Sequence, residues 1–592
     1  MCGIFGYIGN RDPLTVSLAG LEQLEYRGYD STGIAGISRG KVVFCKEAGK
    51  LAELKKVLNL SDLDLAIGHT RWATHGKVTS KNAHPHLDSK QSLALVHNGI
   101  IENHDLLKED LKKLGHKFIS ETDSEVIAQL VAEHYNGDLV EALQMTLPLL
   151  KGHFAIALIH KDHPDQIVAT ARECPLSIGY NDLHSESIIS SDPNALLGSS
   201  LNILFLRNDE IAKVEKGKVQ IIDRSGTQIL KELIRLNSQI KSPSKEGFEH
   251  FMLKEIFEQP NTVQKALLGR IVDHKVQFES LSEDFRNASH VWFIGCGTSS
   301  LAGNIGTQFL EDIAQIPATC EIASEARYRV IPKETLVIAI SQSGETADTI
   351  SAVREIRSRG HKVLGICNVN NSTLTRETDG CIFLNAGPEV SVCSTKAFTS
   401  QIAVLYLLAF YMAKKEIPKE FLKVHEQLSQ VLEKAPKIQQ IAKKYSQFTN
   451  FFFMGRRYMF PTCMEAALKL KEISYVNANG YPAGEIKHGP IALIDENFPV
   501  IAFCSNKQTE DKIMSNLQEV KAREAPILAF APESLKSIIK IADDVIYLPD
   551  TMDELSPFTS SVAGQLFAYY VAKERGCDID QPRNLAKSVT VE

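Results

Sequence analysis

The sequence predicts an α+β domain followed by two α/β domains, each with a doubly wound, mostly parallel sheet. The first supporting observation is length, because 592 residues exceed a typical domain of about 100 to 150 residues several times over. The second is composition, since 44% hydrophobic, 23% charged and 7% aromatic residues are typical of globular proteins and exclude disordered and fibrous classes. The third is a change of pattern after residue 237, from short strands to strands that alternate with helices.

The first part of the chain, residues 1–237, carries short apolar strands separated by turn residues, with helical periodicity around Pro13–Glu25 and Asp123–His134. A stretch rich in Ser, Lys and Pro at 238–247 predicts a linker. The predicted strands are GIAGI, KVVFC, LAIGHT, LALVHNG, HFAIALI, QIVATA, ESIIS and VQIID.

The rest of the chain contains one strand pattern twice. The segments VWFIGCGTSS and FFFMGRRYMF begin the two copies, and three later pairs of strands follow at a nearly constant spacing of 160 to 164 residues. This repetition predicts a duplicated domain, at 248–424 and 425–580, with bridging helices at 401–415 and 420–434. The last residues, 581–592, have little periodicity and are expected to form an irregular tail.

Charge, hydropathy and cysteine usage exclude several classes of function. The net charge of −7 offers no broad attraction to nucleic acid. The longest nearly uncharged stretch, Gln401–Ala413, is shorter than the roughly 20 apolar residues of a membrane span, and MCGIFGYIGNRD lacks the features of a secretory signal. Eleven cysteines without a C-x-x-C pair or a Cys/His cluster fit neither a disulfide scaffold nor a zinc site. We therefore expect a cytoplasmic protein that binds neither membrane nor nucleic acid.

Cys2 follows the initiator methionine and precedes the small residue Gly3. Removal of Met1 would leave one residue with both a thiol and a free α-amine, whose usual pKa of about 7.7 to 8.0 suits a general base. A lone early cysteine is more often an inert buried thiol, so the interpretation depends on the surrounding motifs.

Three further motifs in the first domain carry polar side chains beside predicted strands. Arg71 in GHTRWATHG can bind a carboxylate through two hydrogen bonds, as an amino acid substrate would require. Asn98 and Gly99 in HNG can supply an amide and a backbone N–H to an oxyanion, although Asn-Gly is also common in tight turns. Asp123 in SETDS lies where a helix cap is expected, so each motif alone has a structural explanation.

In their order along the chain, MCGIFGYIG, LEYRGYDSTG, HTRWATHG, NAHPH, VHNGIIEN and SETDSE resemble a class II glutamine amidotransferase domain of the N-terminal nucleophile (Ntn) hydrolases. The resemblance implies an Ntn hydrolase sandwich that releases ammonia from L-glutamine. It also implies Cys2 as the nucleophile, Asn98 and Gly99 as the oxyanion hole, and Arg27 as a support of the nucleophile. The residues that it implies at the glutamine are Arg71, Trp72, Thr74, His75 and Asp123.

The repeated domains carry two loops rich in hydroxyl groups and one cluster of charges. SQSGET, residues 341–346, lies between a strand and a helix, where N–H groups and the helix dipole favour a phosphate, although a plain N-cap is equally typical. GCGTSS, residues 295–300, follows the first strand, and its G-x-G is incomplete as a dinucleotide motif. Glu465, Lys469 and Glu472 fall on one helix face, as solvated Glu/Lys pairs also do.

The two copies resemble sugar isomerase (SIS) domains with flavodoxin-like sheets, through SQSGETADT, STKAFT, ALKLKEISY, GEIKHGP and DQPRNLAKSVTVE. The resemblance implies Lys587 as a Schiff-base lysine, Glu472 as a proton shuttle, His488 as the acid/base that opens the sugar ring, and Lys469 as a supporting charge. The residues that it implies at the sugar phosphate are Ser299, Ser341, Gln342, Ser343 and Thr346. Departures from the family pattern, VCS at 392–394 and YPA at 481–483, concern only the fine geometry of the sugar site.

Over the whole chain, the motifs are similar to those of the isomerizing amidotransferases that convert D-fructose 6-phosphate and L-glutamine into D-glucosamine 6-phosphate and glutamate, the first step of UDP-N-acetylglucosamine synthesis. The family implies a homodimer, no metal or organic cofactor, and channelling of ammonia between two sites. Trp72, one of two tryptophans, suits a movable plug in such a channel, or else packs at a domain edge.

Three alternatives to this reading remain. The first is amination of a different sugar phosphate. The second is a purine-type amidotransferase, which would need a phosphoribosyl-pyrophosphate loop. The third is a non-enzymatic sugar-phosphate sensor, which would not need Cys2, Glu472 and Lys587.

Overall fold

The computed structural model of the chain describes residues 2–181, 183–196, 202–231, 233–235, 244–278, 281 and 283–590. It separates into two compact units, one formed by Met1–Ser242 with Ser588–Glu592 and the other by Pro243–Lys587. Most of the predicted linker at 238–247 lies outside the described residues, and the predicted domain boundaries stay predictions.

The first unit is a sandwich of two antiparallel sheets between layers of helices. The eight-stranded sheet has the strand order Ile234–Arg235, Asn202–Phe205, Ser177–Asn181, Glu186–Ser190, Gly3–Ile8, Leu65–Arg71, Ser31–Ser38 and Lys41–Ala48. The seven-stranded sheet has the order Gln228–Ile229, Lys218–Ile222, Glu210–Glu215, Ile167–Arg172, Gly152–His160, Leu93–Ile101 and His86–Leu87. The described α-helices of this unit are Pro13–Leu24, Leu51–Val57, His104–Lys113, Glu125–His134 and Leu139–Thr146.

Alternate residues of the central strands face the opposite sheet and the flanking helices, so both faces are buried. In the strand Leu65–Arg71, Ile67 packs between the sheets in one core with Val96. Its neighbour Ala66 packs in a second core with residues of the helix Pro13–Leu24. All eight predicted strands and both predicted helices of this domain are present, which confirms the predicted α+β sandwich.

The second unit contains two five-stranded parallel sheets with the same strand order, 2-1-3-4-5. The first sheet is formed by Ala318–Ile322, His290–Gly295, Thr335–Ser341, Val363–Cys367 and Gly380–Phe383. The second is formed by Asn477–Pro482, Asn450–Gly455, Val500–Phe503, Ile527–Pro532 and Asp544–Leu548. A short hairpin also pairs Ile271–Val272 with Lys275–Val276. The shared flavodoxin-like order confirms the predicted pair of doubly wound domains.

Helices flank the two parallel sheets of the second unit. The described α-helices are Phe251–Phe257, Gln259–Leu267, Thr298–Phe309, Ala323–Ala326, Ala347–Ser358, Thr373–Glu377, Lys396–Ala413, Lys419–Leu422, Val424–Glu433, Ala435–Tyr445, Met459–Ser474, Glu510–Lys521 and Ser556–Glu574.

Helices of both copies share one hydrophobic core. Phe309 of the first copy contacts Tyr406 and Tyr458, with ring centroids 5.2 and 5.4 Å apart. The helix Lys396–Ala413 is long and apolar enough to cross a membrane by length and composition, yet 94% of it is buried inside the protein. The prediction of a buried core helix at this position is therefore confirmed.

Two details of the second unit differ from the sequence prediction. The helix predicted at 420–434 is two helices, Lys419–Leu422 and Val424–Glu433. The second strand of each sheet, Ala318–Ile322 and Asn477–Pro482, goes unpredicted because ATCEI and NANGYP lack a run of large apolar residues. These strands form sheet edges, where fewer neighbours have to be packed.

Candidate functional site

Cys2 directly precedes the strand Gly3–Ile8 and lies beside the end of the strand Leu65–Arg71. Its Sγ accepts a hydrogen bond from the backbone N–H of Trp72 at 3.2 Å, and lies 3.4 Å from the Trp72 carbonyl oxygen. At Gly3 a Cβ atom would lie 2.5 Å from Thr70 Oγ1, so only glycine fits between the strands at this point. The backbone thus brings the thiol against the segment that carries Arg71 and Trp72.

The thiol of Cys2 is held in its neutral form. Burial raises the pKa of Cys2, although the chain's N-terminal charge and the Arg71 guanidinium act in the opposite direction. A neutral thiol is a weak nucleophile, so chemistry at this position requires a base close to Cys2.

The carbonyl oxygen of Cys2 accepts two side-chain hydrogen bonds, from Arg27 Nε at 3.2 Å and from Asn98 Nδ2 at 3.0 Å. Asn98 and Gly99 lie within the strand Leu93–Ile101 rather than in a tight turn. Gly99 has a φ of +121°, and a Cβ atom there would lie 2.0 Å from a carbonyl oxygen of the paired strand. Glycine is therefore required beside Asn98.

Arg71 is buried in the electrostatic neighbourhood of the thiol. Burial lowers the pKa of Arg71, while Cys2 and Asp123 act in the opposite direction. The guanidinium donates to the backbone carbonyl oxygens of His75 and Lys77, the latter at 3.5 Å. The loop that follows Arg71 therefore wraps around its guanidinium.

Asp123 is not the helix cap that its position suggests. Its carboxylate accepts the backbone N–H of Ile101 at 2.8 Å, and so joins the segment before the helix Glu125–His134 to the strand that carries Asn98. Ser124 occupies the N-cap position, but its hydroxyl pairs with His97 Nδ1 at 2.8 Å instead of capping the helix.

The remaining residues implied at the glutamine lie on the loop after Arg71. Trp72 is half-buried, and its ring meets Tyr29 edge-on with centroids 6.2 Å apart. Thr74 is exposed and lies 3.3 Å from His75 Nδ1, and the His75 ring is 5.2 Å from that of His104. The structure thus places Cys2 and its backbone partners together, with Thr74 and His75 on the more accessible side.

In the second unit, the two hydroxyl-rich loops follow adjacent parallel strands, His290–Gly295 and Thr335–Ser341. The carboxyl ends of such strands are where open α/β sheets bind ligands. The loop 341–346 is shaped by its own side chains, because Ser341 Oγ accepts the N–H of Gly344 at 3.0 Å and Ser343 Oγ that of Glu345 at 3.2 Å.

This loop leads into the helix Ala347–Ser358, so that Thr346 and the half-buried Gln342 lie near a helix N-terminus. In the other loop, Ser299 lies in the first turn of the helix Thr298–Phe309, and its Oγ accepts a hydrogen bond from Gln401 Nε2 at 3.0 Å. Both loops therefore present hydroxyl groups at the carboxyl ends of the parallel strands.

Two charged residues of the helix Met459–Ser474, Glu465 and Lys469, are buried rather than solvated. The side chains of Lys469 and Glu465 are each 1% exposed, and Lys469 Nζ lies 3.3 Å from Glu465 and 2.8 Å from Glu472. Lys469 Nζ also donates to Thr298 Oγ1 at 3.0 Å, which connects this helix to the hydroxyl-rich loops. The alternative of solvated Glu/Lys pairs is therefore excluded.

Burial alone shifts the pKa values of Glu465 and Lys469 in opposite directions. It raises the pKa of Glu465 to about 7. It would lower the pKa of Lys469, but the charges of Glu465 and Glu472 outweigh it and raise that pKa. The two ion pairs thus favour the ammonium form of Lys469 over the neutral amine that a nucleophile requires.

Lys587, on the irregular tail, is buried instead of solvated. Its side chain is 3% exposed, and Nζ forms an ion pair with the fully buried Glu389 at 2.5 Å. The other Glu389 oxygen accepts the backbone N–H groups of Thr395 at 2.9 Å and Ala397 at 3.0 Å. The tail is therefore fixed to the loop that precedes the helix Lys396–Ala413.

The loop that contains Glu389 also contacts the helix Met459–Ser474. Cys393 Sγ donates to Glu472 Oε2 at 2.7 Å. Burial and the nearby Glu472 carboxylate raise the pKa of Cys393, so the thiol stays protonated as a donor. Because Glu389 and Cys393 are four residues apart, one loop brings Lys587 and Glu472 into one neighbourhood.

Within the described part of the chain, His488 stays apart from the charged residues of the sugar site. It ends the 3-10 helix Glu485–His488, is exposed, and has no hydrogen bond or ion pair with Lys469, Glu472 or Lys587. Its predicted role stays a prediction.

Sequence reasoning missed Glu389 and Glu255. Glu255 accepts the N–H groups of Val390 and Ser391, at 2.5 and 3.2 Å, beside Glu389. Burial and the charge of Glu389 raise the pKa of Glu255 to about 8, so one of the two carboxyl groups is held protonated. No local pattern marks either residue, and the only signal was a lone acidic residue before the conspicuous STKAFT segment.

Comparisons with known proteins agree with this geometry. Residues 69–198 match the family model of a glutamine amidotransferase domain, and residues 284–411 and 444–575 match that of the SIS domain. The fold and its two sites thus define a glutamine amidotransferase joined to a pair of SIS domains.

Curated relatives identify the family. The chain is 44% identical to the glutamine--fructose-6-phosphate aminotransferase [isomerizing] of Thermus thermophilus and 45% identical to that of Chlamydia muridarum, with 100% of each chain covered in both cases. The protein belongs to the isomerizing glutamine--fructose-6-phosphate aminotransferase family.

Solved structures resemble the second unit. The C-terminal domain of glucosamine-fructose-6-phosphate aminotransferase from Francisella tularensis matches with a TM-score of 0.54 and 38% identity, over 57% of this chain and 100% of that one. Tagatose-6-phosphate ketose/aldose isomerase from Escherichia coli matches with a TM-score of 0.50 and 18% identity, over 59% and 98%, and shows the fold alone.

The buried ion pair between Lys587 and Glu389 predicts that Glu389 holds the tail in place. We expect Glu389→Gln to release the tail, because the amide still accepts the loop N–H groups but leaves Lys587 as an unpaired buried charge, at a cost of roughly 3 to 5 kcal/mol. Hydrogen exchange followed by mass spectrometry should show faster exchange in residues 580–587. Glu485→Gln, on an exposed helix turn, is the matched control. Unchanged protection of the tail in Glu389→Gln would show that the pair does not hold it.

Proposed function

We propose that the protein transfers the amide nitrogen of glutamine to fructose 6-phosphate, producing glucosamine 6-phosphate and glutamate. The observation that carries the proposal is the cluster of buried Lys587 and Lys469 with the partly exposed Glu472, which Thr298 links to a hydroxyl-rich loop. The same chain also has Cys2 next to Asn98. Full-length similarity to relatives named for this activity supports it.

In the glutaminase step, Cys2 attacks the amide carbon of glutamine. Its α-amine, freed by removal of Met1, accepts the thiol proton, since the buried thiol needs a base. Asn98 and Gly99 stabilise the oxyanion, and ammonia leaves to give a thioester that water hydrolyses to glutamate. Arg71 and Asp123 bind the carboxylate and amine of the substrate, with Thr74 and His75 completing the site.

In the sugar step, Ser341, Gln342, Ser343, Thr346 and Ser299 bind the phosphate at the helix N-termini. His488 opens the sugar ring by acid/base catalysis.

Lys587 then attacks the ketone as a neutral amine, with Glu389 in hydrogen-bond contact to accept its proton. Ammonia replaces Lys587 on the sugar, Glu472 moves the proton between the first two carbons, and Lys469 stabilises the negative charge that develops. The net reaction joins ammonia to the sugar and releases one water.

The alternatives have less support. A sugar-phosphate sensor does not require a buried, ion-paired lysine next to a carboxylate cluster, and the purine-type reading lacks the SIS pair that is present here. Amination of a different sugar phosphate uses the same site and is separated only by product analysis. A homodimer and a cytoplasmic location stay predictions.

The direct test supplies amide-¹⁵N glutamine with fructose 6-phosphate and follows both products by mass spectrometry. We expect ¹⁵N-glucosamine 6-phosphate and glutamate in equal amounts. Labelled ammonia without aminated sugar would contradict the proposed synthase activity. If an aminated product forms only when another sugar phosphate replaces fructose 6-phosphate, the alternative acceptor is supported.

Cys2→Ala should abolish synthesis from glutamine while leaving synthesis from high concentrations of ammonia, because only the first unit needs the thiol. Cys45→Ala, a partly buried thiol of the same unit, is the matched control and should keep both activities. Intact mass of the wild type should lack Met1. Glutaminase activity retained in Cys2→Ala would rule out the assigned nucleophile.

Ser343→Ala combined with Thr346→Ala should weaken fructose 6-phosphate binding and leave glutamine hydrolysis at its wild-type rate when the sugar phosphate saturates. Each charge-assisted hydrogen bond lost should cost roughly 1.5 to 3 kcal/mol. Calorimetric titration measures the change, and Ser358→Ala, at the far end of the same helix, is the control. Equal affinities in the double variant and the wild type would remove the loop from the phosphate site.

Trp72→Ala should uncouple the two reactions. The backbone of the half-buried Trp72 contacts the thiol, and removal of the ring should let ammonia escape to water while hydrolysis continues. The molar ratio of glucosamine 6-phosphate to glutamate should fall well below one. A ratio near one would mean that the ring serves packing alone.

A further inference from the structure

Four buried histidines lie together at one end of the core between the two sheets of the first unit. His84 stacks against His69 with ring centroids 4.0 Å apart, and contacts His86 at 4.6 Å and His97 at 6.4 Å. None of the four belongs to the proposed catalytic machinery. One of them, His69, lies on the inner face of the eight-stranded sheet and reaches the strand that carries Asn98.

Only one assignment of donors and acceptors is consistent with the hydrogen bonds of His69. Its Nε2 lies 2.9 Å from the carbonyl oxygen of His97, which can only accept, so Nε2 carries the proton. The same Nε2 lies 3.1 Å from the side chain of Asn98, which must therefore present its oxygen. Nδ2 of Asn98 then faces the carbonyl oxygen of Cys2 at 3.0 Å, where a donor is needed.

Reversal of the Asn98 amide would fail at both of its ends. Its NH₂ group would meet the N–H of His69, and its oxygen would meet the carbonyl oxygen of Cys2. Each conflict leaves one end of the buried Asn98 amide without a hydrogen-bond partner, which is unfavourable. The amide has two N–H donors, so the observed orientation satisfies Cys2 with one and leaves the second for a ligand.

We propose that His69 is a positioning residue that orients the Asn98 amide so that its NH₂ group faces the oxyanion formed at Cys2. This inference rests on the proposed glutaminase function and deepens it. The carbonyl oxygen of His97 determines that Nε2 of His69 carries the proton. This N–H in turn determines that the Asn98 amide oxygen faces His69.

His69 acts as a neutral donor. Burial lowers the pKa of His69 to about 3, so the ring stays uncharged at neutral pH. Its stacking on His84 and its place on a central strand hold the ring in one orientation. A fixed neutral donor is suited to orient an amide without adding charge beside Cys2.

Three variants of the full chain test the inference. His69→Leu removes the N–H donor and puts an apolar side chain in its place. His69→Gln places an N–H four bonds from Cα, as in the Nε2 of histidine, whereas the N–H of His69→Asn is one bond shorter and does not reach Asn98. His160→Leu is the matched control, because His160 is also buried in this unit, stacks on Tyr135 and does not contact Asn98.

We expect His69→Leu and His69→Asn to reduce kcat for glutamine hydrolysis by at least about tenfold, with little change in KM, since loss of a whole oxyanion donor costs about 10²- to 10³-fold. His69→Gln should recover most of kcat, and His160→Leu should keep it. Thermal unfolding of each variant reports on stability, and if His69→Leu does not fold, the Gln and Asn variants decide.

Wild-type kcat in His69→Leu, or equal kcat in the Gln and Asn variants, would overturn the positioning role. An equal loss of kcat in His160→Leu would also overturn it, by showing that any buried histidine has the same effect. A wild-type protein without glutaminase activity at Cys2 would instead refute the proposed function itself.

Discussion

A buried ammonium group must be surrounded by acceptors, and this requirement at Lys469 organises the second unit. Glu465 and Glu472 supply carboxylates within one turn on either side of it, and Thr298 supplies a hydroxyl from the other copy of the duplicated domain. Since each copy contributes one side of this arrangement, the site exists only when both are packed together. Removing one member of such a set leaves an uncompensated charge, which is far more costly than replacing the whole set by apolar residues.

The first unit meets a related constraint, because its polar groups lie at the end of an apolar sandwich core. Close approach of the strands depends on Gly3 and Gly99, where any side chain would collide with a neighbouring strand. The polar groups that are brought together there pair in one continuous series, from the His97 carbonyl through His69 and Asn98 to the Cys2 carbonyl. Buried series of this kind favour a single arrangement, since any reversal leaves donors facing donors.

Much of the fold follows from sequence pattern, while much of the site does not. The spacing between repeated strands predicted the duplicated sheets, and helical periodicity placed Glu465, Lys469 and Glu472 on one face. Periodicity cannot say what covers that face, so their burial required the structure. Glu389 pairs with a lysine 198 residues away, and such a contact leaves no local signal.

Chemical trapping of the sugar tests the buried lysine site most directly. The protein is incubated with fructose 6-phosphate, reduced with borohydride and digested, and the modified lysine is located by peptide mass mapping. We expect the sugar phosphate on Lys587, which shares a loop neighbourhood with Glu472, and not on two other buried lysines. These are Lys469, which is paired with two carboxylates, and Lys396, which pairs with Glu258. Modification of either of those lysines, or no adduct from a protein that forms glucosamine 6-phosphate, would contradict a Schiff base at Lys587.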